Sequence, residues 1–140
     1  VEEAGRRCET VAGDIGDRDH ARALVQQAVD ELGRLDVLVN NAAYQMAYDS
    51  FLEIPAEEID FVFRTNIIAM FHLCQAAVPV MQPGSTIINT TSIQAAQPSP
   101  QLLHYATTKG AISTFTAGAP GRPGRAPAAS AAGRSCSRPS

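Results

Sequence analysis

The sequence predicts an α/β fold organised around a parallel sheet, and three observations carry that prediction. Segments with apolar residues at helical spacing alternate with short β-branched runs, the order that places a helix between successive parallel strands. The run LDVLVN at residues 35–40 is apolar without alternation, as a strand covered on both faces requires. Polar clusters stand where expected strands end, at Asp14-Ile15, Asn40-Asn41-Ala42-Ala43 and Thr90-Thr91-Ser92. Open α/β sheets bind ligands at the carboxyl ends of their strands.

Taken in order, Val1 to Arg7 reads as the end of a helix, with Gly5 as its stop signal, followed by a short strand, CETVAGDI, at residues 8–15. Asp17 or Asp19 caps the next helix, whose Ala21, Leu24, Val25, Ala28, Val29 and Leu32 recur at spacings of three and four. Gly33 closes it, and LDVLVN follows. A longer helix is expected from Ala56 to Met81, with an apolar surface wide enough for two neighbours, a sheet and a second subunit. Asn66 sits inside that apolar surface, where an amide without partners is costly. Pro83-Gly84 then turns the chain into STIINTTS, a β-branched strand at residues 85–92 that ends in hydroxyl side chains.

Composition excludes several classes. At 140 residues and 45% hydrophobic content the chain suits one globular domain. No apolar run is long enough for a membrane span, and VEEAGRRC lacks the order of a signal peptide. Cys8, Cys74 and Cys136 are far apart and without metal-ligand spacing, so reduced thiols, no metal site and a cytoplasmic location are expected. Charge is uneven. Residues 1–116 hold all 14 acids and seven of the 11 bases, while residues 117–140 hold four arginines and no acid. Those arginines form no helical stripe and have no aromatic beside them, which argues against nucleic acid.

One stretch carries chemistry. In HYATTKGA, residues 104–111, Tyr105 stands four residues before Lys109, the only lysine of the chain. Residues so spaced on a helix share a face. A tyrosine phenol ordinarily loses its proton near pH 10, and a neighbouring ammonium favours the phenolate. By itself such a pair is commonly a solvated helix face, Asp14 a turn former, Asn40-Asn41 a polar strand end, Ser92 a loop serine and Asn66 a satisfied core amide. His104 reads as an exposed loop residue rather than a second base.

Together, however, the Asp-Ile after a strand, NNAA after the next, an asparagine in the following helix, a serine at a strand end and YxxxK thirteen residues beyond it resemble the short-chain dehydrogenase/reductase family. The wording TSIQAAQPSPQLLHYATTKGAI resembles its bacterial aldehyde, glucose and polyol reductase branch. The resemblance covers residues 1–116 and implies a partial doubly wound, Rossmann-like sheet with strand order 3-2-1-4-5-6. The segments seen here would supply its third, fourth and fifth strands, without the first two or the C-terminal ones. Its glycine-rich pyrophosphate turn is not in this chain. The resemblance further implies a hydride transfer between NAD or NADP and a small carbonyl or alcohol, in a homo-oligomer. It makes Tyr105 the acid/base, Lys109 its partner and a ligand of the nicotinamide ribose, and Ser92 a donor to the substrate oxygen. Asn66 would link Lys109 to solvent through backbone and water. Asp14 and Ile15 would hold adenine, while Asn40, Asn41 and Ala42 would flank the adenosine ribose. Ala43 departs from the family's usual glycine, which costs backbone freedom beside the cofactor. The alternatives are an epimerase or dehydratase of the extended branch, and a non-catalytic docking or interface piece.

Residues 117–140 contain only Ala, Gly, Pro, Arg, Ser and Cys, all types encoded with G or C at the middle codon base. A disordered tail is one reading. A frame slip near Gly118 in GC-rich DNA is the other.

Overall fold

A computed structural model describes residues 1–119. Its centre is a pair of parallel strands, β1 (Val37–Asn40) and β2 (Thr86–Asn89), in the register Val37 to Thr86 and Asn40 to Asn89. The helices are α1 (Arg18–Leu32), α2 (Ala56–Phe63), α3 (Ala69–Ala77) and α4 (Leu103–Gly118).

Local chemistry sets the boundaries. Asp17 caps α1 by accepting from the backbone N–H groups of His20 and Asp19, at 3.1 and 2.7 Å. Those bonds hold its carboxyl below the usual pKa, His20 contributing most. Gly33 ends α1 with φ at 85° and its N–H on the Val29 carbonyl, a left-handed closure that glycine adopts without strain. The long helix expected from Ala56 to Met81 is instead α2 and α3 joined through a wide π turn, Arg64–Ile68, and it stops at Ala77. Pro79 explains the stop, because it has no N–H to continue the helical ladder, although Val78 before it keeps helical angles, φ −54° and ψ −41°.

The core lies on one face of the sheet. Ala21 and Val25 of α1 meet Leu73 and Ala77 of α3 and Met81, while Ile67, Met70 and Cys74 meet Ile112 of α4. Leu38 and Ile87, register partners in β1 and β2, pack against both groups. The opposite face differs. Val37 and Val39 are 52% and 54% exposed, so LDVLVN is covered on one face only, contrary to the two expected.

Residues 8–15 are not a strand. In the 3-2-1-4-5-6 order two other strands would separate this segment from β1, and no described residues supply them, so its backbone has no ladder to join. The first residues are likewise a single 3₁₀ turn, Glu2–Ala4, rather than a helix end. At the other end α4 continues to Gly118, past the boundary expected after residue 116. The rest of the arginine-rich tail lies outside the described residues.

Candidate active site

Tyr105 and Lys109 lie on one face of α4, with the lysine Nζ 5.5 Å from the centre of the tyrosine ring. Lys109 is buried, and its Nζ donates to the carbonyl of Thr90 at 3.0 Å. Burial lowers its pKa from the usual lysine value. Thr90 follows the last residue of β2, donates its backbone N–H to the Asn40 carbonyl of β1 at 3.0 Å, and donates its hydroxyl to Asn41 Oδ1 at 3.0 Å. Asn41, Thr90, Lys109 and Tyr105 therefore form a connected group at the carboxyl ends of the two strands.

Ser92 is half-buried and begins the 3₁₀ turn Ile93–Ala95, its Oγ accepting from the Gln94 N–H at 3.3 Å. The strand end reaches α4 one residue earlier, where Thr91 donates to the Lys109 carbonyl at 2.9 Å. Ser92 is thus held close in sequence to two residues that contact the lysine.

Asn66 lies within the π turn and is 3% exposed. Its Oδ1 accepts from the Tyr44 N–H at 2.7 Å, and its Nδ2 donates to the Tyr44 carbonyl at 2.9 Å and to Thr108 Oγ1 at 3.1 Å. The amide thus ties the loop after β1 to the residue before Lys109. Wide turns of this kind occur often at functional sites.

Asn40 turns inward, donating to Asn89 Oδ1 at 2.8 Å and lying 3.5 Å from Cys74 Sγ. Asn89 in turn donates to Thr116 Oγ1 of α4 at 3.0 Å. This ladder joins both strand ends to two helices through fully or largely buried polar groups. Sequence reasoning did not select Asn89, Thr108, Thr116 or Tyr44; Asn89 alone left a trace, an amide inside a β-branched strand.

The cofactor candidates separate. Ile15, Asn40, Asn41 and Ala42 line a cleft of about 200 Å³ together with Thr90 and Asn66. Asp14 does not line it; its carboxylate accepts from the Gly16 N–H at 2.8 Å and pairs with Arg64 at 3.3 Å. His104 is not the exposed loop residue expected from its sequence context. It occupies the first turn of α4 and is 5% exposed, because Tyr48 and Glu58 close over it.

A helix facing the carboxyl ends of two parallel strands is part of a doubly wound, Rossmann-like α/β unit. The short chain dehydrogenase profile matches residues 1–120, and the chain belongs to that family. It is 49% identical over 116 residues to the oxidoreductase YhdF of Bacillus subtilis, covering 83% of this chain and 40% of that protein. It is 47% identical over 108 residues to the glucose and ribitol dehydrogenase of Daucus carota, covering 77% of this chain and 37% of that one. A short chain dehydrogenase from Burkholderia cenocepacia, solved in complex with NADP, superposes with a TM-score of 0.78 at 31% identity, covering 82% of this chain and 47% of that chain. The chain therefore spans about two fifths of the length of these sequence relatives.

Proposed function

We propose that residues 1–116 supply the acid/base half of an oxidoreductase that interconverts a small carbonyl and its alcohol with NAD or NADP. The observation that carries this is the buried Lys109 ammonium, fixed on the Thr90 carbonyl and set beside Tyr105. A bound nicotinamide supplies or accepts the hydride in such chemistry. In the reducing direction the Tyr105 hydroxyl gives its proton to the substrate oxygen, and in the oxidising direction the phenolate takes it back. Lys109 favours the phenolate electrostatically, and with one of its three protons on Thr90 it keeps two for ribose hydroxyls. Ser92 donates to the substrate oxygen and lowers the cost of charge developing there. Asn66 holds the loop and α4 in register, and its backbone in the π turn is the route by which Lys109 would reach solvent.

The residues fit the adenosine end of the cofactor. Ile15 and Ala42 offer apolar contact, Asn41 and Thr90 offer polar groups, and the cleft opens at the strand ends as these ligands require. Asp14 would meet adenine only after parting from Arg64. The identities to the carrot and Burkholderia proteins favour a sugar or polyol substrate and NADP. Phe61, Ile68 and Phe71, between 41% and 43% exposed on α2, the π turn and α3, favour a helix-mediated homo-oligomer in the longer protein. Among the described residues Cys8 and Cys74 are free thiols, which supports a cytoplasmic location; no described helix is long and apolar enough to cross a membrane.

The test uses a chimera in which residues 1–116 replace the corresponding segment of the Bacillus relative. Tyr105→Phe should lower its turnover at least about a hundredfold while NADPH affinity stays within about threefold; comparable turnover would remove Tyr105 from the role. A second inference concerns the isolated chain. With one sheet face open and residues 8–15 outside any ladder, it should bind NADH and NADPH no tighter than about millimolar. Micromolar binding in a calorimetric titration would refute that.

A further inference from the structure

We propose that His104 and Glu58 form a charged clasp between α4 and α2 that positions Tyr105. His104 is the residue immediately before Tyr105 and opens the same helix. Both of its ring nitrogens are buried and lack a hydrogen-bond partner among the described residues, and so is Glu58 Oε1. The His104 Nε2 to Glu58 Oε1 distance is 3.7 Å, with the two side chains 3% and 14% exposed. Three polar atoms without partners at one helix crossing are costly. An N–H on Nε2 faces the carboxylate in the neutral Nε2 tautomer and in the imidazolium alike, and a slight approach makes a hydrogen bond that is stronger when the ring is charged.

Glu58 faces His104 from α2 at ion-pair distance, and Tyr48 faces it from the loop after β1. Tyr48, from the loop after β1, meets the ring edge-on with centroids 5.7 Å apart. Desolvation first, then the Glu58 carboxylate and Tyr44, raise the Tyr48 phenol's pKa, so Tyr48 contributes no charge. Its backbone N–H donates to the Gln101 carbonyl at 3.0 Å, which fixes the loop to the 3₁₀ turn that leads into α4. That turn, Pro100–Leu102, brings no titratable side chain. On α4 itself Tyr105 and Lys109 are the titratable neighbours, and Lys109 is committed to Thr90. His104 thus joins three elements at the turn that carries Tyr105, and it is a positioning residue rather than one that touches substrate.

The clasp makes the geometry of Tyr105 depend on pH. An imidazole that gains a carboxylate partner on folding contributes stability while it holds its proton, and that contribution disappears as the pH rises and the ring becomes neutral. The consequence for turnover rests on the acid/base reading of Tyr105, but the test does not. The full chain, His104→Gln and Glu58→Gln are followed by thermal melts and by NMR of the histidine and tyrosine ring protons from pH 5 to 9. The melting temperature of the parent should exceed that of His104→Gln by several degrees at pH 5.5, with the gap at least halved at pH 8.5. The His104 titration should move to lower pH by at least half a unit in Glu58→Gln, and the Tyr105 ring signals of the parent should follow the His104 titration. A gap independent of pH, an unmoved His104 titration or Tyr105 signals indifferent to it would each overturn the proposal. If His104→Gln does not fold, the titration in the parent and in Glu58→Gln decides.

Discussion

The two faces of the strand pair differ in kind. One carries α1, α3 and α4 with Leu38 and Ile87 beneath them, and its strand ends are tied to the helices through Asn40, Asn89, Thr116, Asn66 and Lys109. The other shows Val37 and Val39 to solvent, with no described helix against them. The proposed acid/base chemistry draws on the first face alone, because α4, the π turn and the ends of β1 and β2 all meet there. On that reading the cofactor site also draws on a glycine-rich turn and on strands that no described residues supply. If the proposed reading holds, the difference teaches that an acid/base group is locally complete where its cofactor site is not.

A large expected effect on the covered face comes from Asn66→Leu. The leucine fits the volume but leaves the Tyr44 N–H and carbonyl without partners and frees Thr108. Each buried orphan costs about 1–3 kcal/mol, so urea denaturation should show a loss of about 3 kcal/mol with an unchanged m-value. A loss under about 1 kcal/mol would mean that the loop after β1 is not held by this amide, and the contrast between the faces would weaken.

Lys109 offers a smaller and pH-dependent effect. Its folded pKa lies below the unfolded value because burial penalises the ammonium. At neutral pH both states are protonated and the fold bears the whole desolvation penalty. As the pH rises through the lowered folded value, the native state releases its proton while the unfolded chain still holds it, and the penalty shrinks. The stability of the parent relative to Lys109→Met should therefore rise as the pH passes through the lowered folded value and level off near the ordinary lysine pKa. Melts between pH 7 and 10.5 check the sign. A relative stability that falls over this range would show that Thr90 stabilises the ammonium more than burial disfavours it.

Much of this architecture was legible beforehand, for reasons that vary by element. Helix α1 declared itself through Asp17, its apolar spacing and Gly33, all local features. Strands β1 and β2 followed from short apolar and β-branched runs, and the face shared by Tyr105 and Lys109 from helical periodicity alone. The segment at residues 8–15 misled because strand propensity is a statement about a residue's fit to a sheet, and the partner strands are not among the described residues. The π turn was hidden because Arg64 to Ile68 has ordinary helical composition. His104 was misjudged because its burial comes from Tyr48 and Glu58, remote in sequence. The Asn89–Thr116 bond joins residues 27 apart in sequence, a separation that no local pattern reports.

The smallest predicted effect sharpens the comparison most. Val39→Thr keeps the branched shape and the strand preference, and at 54% exposure its lost methyl was already half in water. The change should shift stability by no more than about 0.5 kcal/mol. Leu38→Thr, one residue earlier and packed against both core groups, removes apolar volume from a filled site and places a hydroxyl among aliphatic side chains, at a cost of about 2–4 kcal/mol. In the chimera with the Bacillus relative, helices on the second face of a doubly wound sheet should cover Val39, and the cost of Val39→Thr should rise to about 1–2 kcal/mol. Measuring both substitutions in both backgrounds separates intrinsic strand preference from burial, because preference is the same in each and only burial changes. If Val39→Thr is as harmful in the isolated chain as in the chimera, the exposed face is already covered there, and the division between a complete acid/base group and an incomplete cofactor site fails.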